Sequence, residues 1–407
     1  MTSAYGLTIG IVAITTPYLI SKYDVRKLFM DCMSIFLIVC VMSYFAPNFF
    51  ILVFSRIVQG LGAGVLFSLT QIVMIYIFTK NSQAKALSYI GVVIGLTPCI
   101  GPIIAGYIID FSSWRNIFLL LIIISLFIIV LASKYVEDIH EHKIVKMDLT
   151  SVFTLDLGVL FIMLAITDLS DKMHSDTVII PLIIGILFLL YFVQILLKSR
   201  DSFLKLDLFY NPLFHLGNFL LYIAFFAWVS GALLIPLFLQ SAIGVSAIIR
   251  GFIILPATLL KALLNPLGSR FYKRFGGHKT SILGSSLLII SCIPFVFFSV
   301  NANLNLVAIL YMIRIIGIIL LLFSMLAFSL KGIGSEEYTQ GLSIINSNRQ
   351  IVAALGTTAL LAGVSAISPN GTVSIQGINL AFVLQLILFV FALLISIFLL
   401  KPKKYQI

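Results

Sequence analysis

Predominantly apolar runs of about 20 residues, the length a helix needs to cross a hydrocarbon core, recur along the whole of this 407-residue chain. In a bilayer every backbone N–H and C=O must be paired inside the protein, so spanning structure is helical or a closed barrel. A barrel needs short segments alternating at period two, and these runs do not alternate. The expected fold class is therefore an all-α polytopic membrane protein. With 61% hydrophobic and 10% charged residues, the chain is also more apolar than a soluble fold needs.

The length rule predicts about thirteen transmembrane helices. They fall near residues 5–22, 28–46, 49–78, 85–109, 115–134, 150–168, 177–197, 214–240, 249–271, 280–299, 304–330, 341–367 and 376–400. The connectors sort by charge. One set carries Lys22/Arg26/Lys27, Lys80/Lys85, Lys134/Lys143/Lys146, Lys198/Arg200/Lys205, Arg270/Lys273/Arg274/Lys279, Lys331 and the tail Lys401/Lys403/Lys404. The alternate set is short and nearly free of Lys and Arg, with Lys172 the exception. Basic connectors stay in the cytoplasm, so the C-terminus is expected inside and the first span is expected to begin outside. Either that span is a signal-anchor oriented by Lys22, Arg26 and Lys27, or a helix upstream of it is absent. The net charge of +11 thus reads as orientation in a lipid bilayer, with no nucleic-acid partner. Cys32, Cys40, Cys99 and Cys292 all lie in apolar runs and read as small buried hydrophobes.

Charges inside spans are few. Arg56 stands in Arg56-Ile57-Val58-Gln59-Gly60-Leu61-Gly62-Ala63-Gly64. At helical spacing Arg56, Gln59, Gly60, Ala63 and Gly64 share one face, where small residues admit a neighbouring helix. An arginine there costs about 2.5–3.5 kcal/mol even on the lenient insertion scale, and by default faces protein or water. A packed structural arginine is the plainer reading. Arg314, in Tyr311-Met312-Ile313-Arg314-Ile315-Ile316-Gly317, mirrors it and points to an internal repeat. Asp156 lies about two turns into its span; it is a candidate proton carrier, with interfacial water or a neighbouring base as the plainer setting. Asp31 is expected to pair with Arg26 or Lys27. Lys261 either pairs with a carboxyl or snorkels, and Arg250 and Arg349 are expected to snorkel from span ends. The span holding Gly91, Gly95, Pro98, Gly101, Pro102 and Gly106 reads as a helix built to bend or to seal against a partner, or as plain structural kinks.

Arg56-x-x-Gln59-Gly60-x-Gly62-Ala63-Gly64 resembles the arginine motif of major facilitator superfamily transporters. Gly101-Pro102-x-x-Ala105-Gly106 resembles the antiporter motif of their drug:proton exporters, with Ala105 where glycine is usual. Trp114-Arg115-Asn116-Ile117-Phe118, Leu208 to Asn211, Pro236 to Gln240, Leu255-Pro256 and Asn348-Arg349-Gln350 continue the likeness over nearly the whole chain. Together they resemble the fourteen-helix drug:proton antiporter family. The family's first cytoplasmic loop is altered: Ser21 holds its acidic position and both its glycines are replaced, leaving Lys22, Asp24, Arg26 and Lys27 as the gating charges. In the repeat of this loop Lys273 holds the acidic position. The family's first helix, with its aspartate, has no counterpart, in keeping with the connector charges.

The resemblance implies a major facilitator fold: an N-terminal bundle over 1–134 lacking one helix, a linker with an inserted helix pair over 135–212, and a C-terminal bundle over 213–407. It implies proton-coupled export across the cytoplasmic membrane of amphipathic, drug-like compounds, cationic ones included, by a monomer without cofactor or metal. Arg56, Asp156 and Arg314 are the candidates for proton coupling; Gln59, Gly60, Gly64, Gln240 and the glycines and prolines of residues 91–106 are those for cavity and helix packing. A non-transporting remnant, or an exporter of a lipid or metabolite, are the alternatives. No nucleophile elbow, phosphate loop or metal spacing points to an enzyme.

Overall fold

The computed structural model describes the chain outside residues 1–7, 10, 11, 13–15, 17, 21, 79–92, 94–100, 102, 103, 106, 109, 110, 139–148, 171–174, 199–210, 300, 301, 332, 335–337, 368–372 and 399–407. The elements among the described residues are helical: α1 (Val25–Tyr44), α2 (Phe49–Ile77), α3 (Arg115–Tyr135), α4 (Leu149–Ser170), α5 (Ser175–Lys198), α6 (Pro212–Leu237), a π turn (Phe238–Ala242), α7 (Ala247–Phe297), α8 (Leu304–Lys331), α9 (Tyr338–Ile367) and α10 (Ile375–Phe398). Eight of these helices are long and apolar enough to cross a bilayer. Two of the expected spans, 5–22 and 85–109, lie partly outside the described residues.

Local chemistry fixes where helices start. Asn48 accepts from the Ile51 N–H at 2.9 Å to open α2, and Asn211 accepts from the Leu213 N–H at 2.9 Å to open α6, with Pro212 at its first position. Pro236 inside α6 lacks an N–H, and the helix widens into the π turn directly after it. One expectation needs correction. The basic stretch Arg270 to Lys279 is not a loop between two spans: the helix runs on through it and breaks only at Gly276, whose φ of 75° and ψ of 168° are non-helical. Glycine tolerates that backbone, so the chain redirects at one residue.

Packing divides unequally. A large core joins α6, α7, α8, α9 and α10, with Phe238, Phe295, Phe382 and Phe389 buried at its centre. A smaller one joins α1 and α2 through Val25, Leu28, Cys32, Val65 and Leu69, and α3 packs on α1. Gly284 of α7 and Gly317 of α8 cross so closely that a Cβ on Gly317 would stand 2.9 Å from the Gly284 carbonyl oxygen; membrane helices associate through such small residues. The inserted pair repeats the device, a Cβ on Gly185 of α5 meeting the Gly158 carbonyl of α4 at 2.9 Å. The pair docks through α4, whose Leu155, Val159 and Met163 pack on Ile351, Ala354 and Leu355 of α9. Large apolar side chains face outward, among them Phe50, Leu263 and Phe297, each more than 70% exposed. Lipid is a solvent they suit, whereas in water such a surface would aggregate.

Candidate functional site

The two mirrored arginines occupy different settings. Arg314, on α8, is fully buried. Its Nε and Nη2 donate to the Ala227 carbonyl at 3.2 and 3.0 Å, and Nη2 also reaches the Ser230 hydroxyl at 3.4 Å and the Gln385 Oε1. The guanidinium lies 5.2 Å from the Phe389 ring centroid. Gly231 leaves it room, since a Cβ there would sit 2.9 Å from its Nε. Four neighbours on α6 and α10 thus hold one charge.

Arg56, on α2, is only half-buried. Its Nη1 donates to Gln59 Oε1, one helical turn on, at 2.9 Å, and its guanidinium lies 4.8 Å from the Phe118 ring of α3. Gln59 is buried and donates in turn to Cys40 Sγ of α1 at 3.2 Å. Of the small residues expected on this face, Gly64 admits a neighbour, and Gly62, on another side of α2, admits one too. A Cβ on Gly62 would meet the Cys32 carbonyl oxygen at 2.9 Å, and one on Gly64 the Ile9 carbonyl oxygen at 2.9 Å; Gly60 is buried as well. At the same end, Arg115 donates to the Ala46 carbonyl at 3.1 Å, tying α3 to the α1–α2 connector.

Sequence reasoning missed a third centre. Arg349 does not snorkel: it is only 7% exposed. Its guanidinium lies 4.7 Å from the Phe225 ring of α6 and 5.2 Å from the Phe67 ring of α2. It therefore bridges the N-terminal and C-terminal halves. Nη2 donates to Asn346 Oδ1 at 2.8 Å, while Nε has no hydrogen-bond partner among the described residues. Beside it Asn348 donates to the Tyr222 hydroxyl at 3.2 Å. Lys261 of α7 is buried too, with Nζ 2.9 Å from the Trp228 ring centroid, and Trp228 packs edge-on against Phe225 at 5.3 Å. Tyr222, Phe225 and Trp228 recur at three-residue spacing on α6 and so form one stripe. Each cation in this centre is held over an aromatic face, an attraction that strengthens away from water.

Asp156 of α4 is half-buried, and its enclosed Oδ1 makes no hydrogen bond among the described residues. It lies between Leu155 and Val159, which pack on or beside α9. Gln240 falls outside these centres: it is exposed in the π turn and accepts from Arg250. In the basic connector the pairing of Arg26 with Asp31 does not form. Arg26 Nη2 donates instead to the Ser133 carbonyl at 2.5 Å, and its backbone N–H to Asp138 Oδ1 at 3.0 Å. Lys22 and Lys27 stand over the Tyr23 ring at 5.5 and 6.0 Å, and Asp24 occupies the N-cap position of α1. Gly101 is exposed with open space around its Cβ position; Gly91, Gly95, Pro98, Pro102 and Gly106 lie outside the described residues.

Among the described residues, long apolar helices with charges buried between them define a multi-pass membrane protein. The chain matches the Major Facilitator Superfamily model over residues 1–357, and it belongs to that superfamily. It is 27% identical over 411 residues to the uncharacterized MFS-type transporter YcnB of Bacillus subtilis, covering 99% of this chain and 87% of that protein. It is 26% identical over 417 residues to the lincomycin resistance protein LmrB of Listeria monocytogenes, covering 99% and 88%. The fold is also that of a POT family transporter solved in complex with 5-aminolevulinic acid, at TM-score 0.69 and 16% identity, over 97% of this chain and 86% of that one.

Proposed function

We propose that this protein is a proton-driven antiporter that exports amphipathic, drug-like compounds across the cytoplasmic membrane. The observation that carries the reading is the enclosed carboxyl of Asp156 docked against α9, the helix whose Arg349 spans both halves. A carboxyl there gains or loses a proton beside the element that must move when the halves rock. Similarity to the lincomycin resistance protein supports export as the direction and a drug as the cargo. Inward proton movement supplies about 2.3 kcal/mol per charge per 100 mV, and it drives export when proton and cargo favour opposite states of one cavity. Arg56 stabilises the proton-coupled state from α2, and Arg314 fixes the inner face of the C-terminal bundle. The basic connectors and the C-terminus face the cytoplasm, the stretch from Gly91 to Gly106 seals the bundles, and the working unit is a monomer.

The test uses everted membrane vesicles with an imposed pH gradient followed by a fluorescent probe. Lincomycin and a panel of amphipathic amines, neutral compounds and acids are added in turn. At least one compound should dissipate the gradient in wild-type vesicles, and Asp156→Asn should abolish that response at unchanged protein level. A wild-type response retained by Asp156→Asn would remove Asp156 from the coupling, and no response to any compound would remove proton exchange.

A further inference from the structure

The first arm of α7 is longer than one crossing needs. From Ala247 to Phe275, just before the break at Gly276, it runs about 43 Å at 1.5 Å per residue, against a hydrocarbon core of about 30 Å. The end that emerges is the charged one. Arg270, Lys273 and Arg274 are all exposed there and spaced to share one face, and Lys279, also exposed, follows just past the break. Phe271 and Phe275 lie one turn apart beside them, their ring centroids 5.5 Å from each other, with the Arg274 guanidinium 5.4 Å from the Phe275 ring. Phe275 is 44% exposed. The break itself is braced. Thr280 Oγ1 donates to the Gly276 carbonyl at 2.7 Å, and a Cβ on Gly277 would stand 2.8 Å from the Phe328 ring of α8. The basic turns are therefore fixed against the end of α8.

The two halves balance their basic connectors differently. Beside Lys22, Arg26 and Lys27 the N-terminal half sets Asp24, Asp31, Glu137 and Asp138, and the Arg26 N–H donates to Asp138 Oδ1. From Pro212 to the end the only acids are Glu336 and Glu337, in the connector after α8, against Arg270, Lys273, Arg274, Lys279 and Lys331 at that end. A surplus of positive charge is thus left at the membrane surface. We propose that Arg270, Lys273, Arg274 and Lys279, with Phe271 and Phe275 beside them, form a docking site for anionic phospholipid. The headgroup phosphates meet the cations, and the rings meet the upper carbons of the acyl chains. The site stands apart from the transport reading above. Guanidinium groups present planar donors that match phosphate. Basic residues next to a membrane helix gather anionic lipid, each worth about fivefold in affinity. The ring pair favours a lipid over a soluble phosphate, because only the lipid brings apolar surface to it.

The test reads lipid association at the site itself. The full chain carrying Phe271→Trp is reconstituted in bilayers containing either dibrominated phosphatidylglycerol or dibrominated phosphatidylcholine, whose bromines quench a neighbouring indole. The signal of the native Trp114 and Trp228 is subtracted with the chain that lacks the reporter. Phosphatidylglycerol should associate about tenfold or more tightly than phosphatidylcholine. Raising the salt from about 0.1 to about 1 M should remove most of that preference, a measurement that needs no further variant. Arg270→Gln, Lys273→Gln and Arg274→Gln together should bring the ratio to about one, whereas Arg270→Lys with Arg274→Lys should keep most of it. Lys401→Gln, Lys403→Gln and Lys404→Gln remove the same charge from the tail and should leave most of the preference. No preference in the wild type, a preference that neither salt nor the first triple substitution moves, or an equal loss with the tail triple would overturn the assignment. Loss of the preference on adding glycerol 1-phosphate would also overturn it, in favour of a site for soluble phosphate.

Discussion

Arg56 and Arg314 stand at mirrored places in the two halves, yet one is half-buried with a single hydrogen-bonding side chain in its own helix, and the other is sealed among four neighbours on two other helices. A buried charge whose Nε and Nη2 are both hydrogen-bonded, even with Nη1 left without a partner among the described residues, is expensive to disturb and slow to change partners. A partly exposed one on a short chain of contacts, Arg56 to Gln59 to Cys40, can exchange partners when helices shift. Under the proposed function the two arginines have different work: Arg314 would hold the C-terminal bundle together, and Arg56 would respond to the transport state.

The sharpest way to break this comparison is Arg314→Gln. It leaves the Ala227 carbonyl, Ser230 and Gln385 without their shared donor, and should destabilise the protein by about 3 kcal/mol or more, read as a large fall in melting temperature in detergent. Gly231→Ala comes next. Its Cβ would stand 2.9 Å from Arg314 Nε, an overpacking worth about 1–3 kcal/mol; a melting temperature equal to wild type would show that the pocket around Arg314 gives way. On the Arg56 side the corresponding change is small. Cys40→Ala removes the sulfur that accepts from Gln59 at 3.2 Å and should cost less than about 1 kcal/mol, while lowering efflux because Gln59 then holds Arg56 less firmly.

Much of this was legible in the residues. The apolar spans, Arg56 and Arg314, and the close approach at Gly64 on the face it shares with Arg56, Gln59, Gly60 and Ala63 follow from hydropathy, charge and spacing, each of which acts locally. Arg349 was not legible, because its depth depends on where its helix begins. The helix opens at Tyr338, so Arg349 lies eleven residues in, about 16 Å along the axis, where snorkelling to the near end is no longer possible. A usable signal was present in Asn346, Asn348 and Arg349 together, too polar a group for a lipid-facing turn. Lys261 against Trp228 depends on how α7 meets α6 and leaves no mark in either helix alone. The continuous helix up to Gly276 escaped notice for a related reason: basic residues read as a loop, but a membrane helix carries them freely once it has left the hydrocarbon.

The most direct test is to measure melting temperature and gradient-driven efflux together for Arg56→Gln, in the membranes used for the wild type. Arg56→Gln should insert, melt within a few degrees of wild type (about 1 kcal/mol or less of stability) and lose proton-driven efflux. Efflux at the wild-type rate would contradict the account and reduce Arg56 to packing, as would a melting temperature as depressed as that of Arg314→Gln.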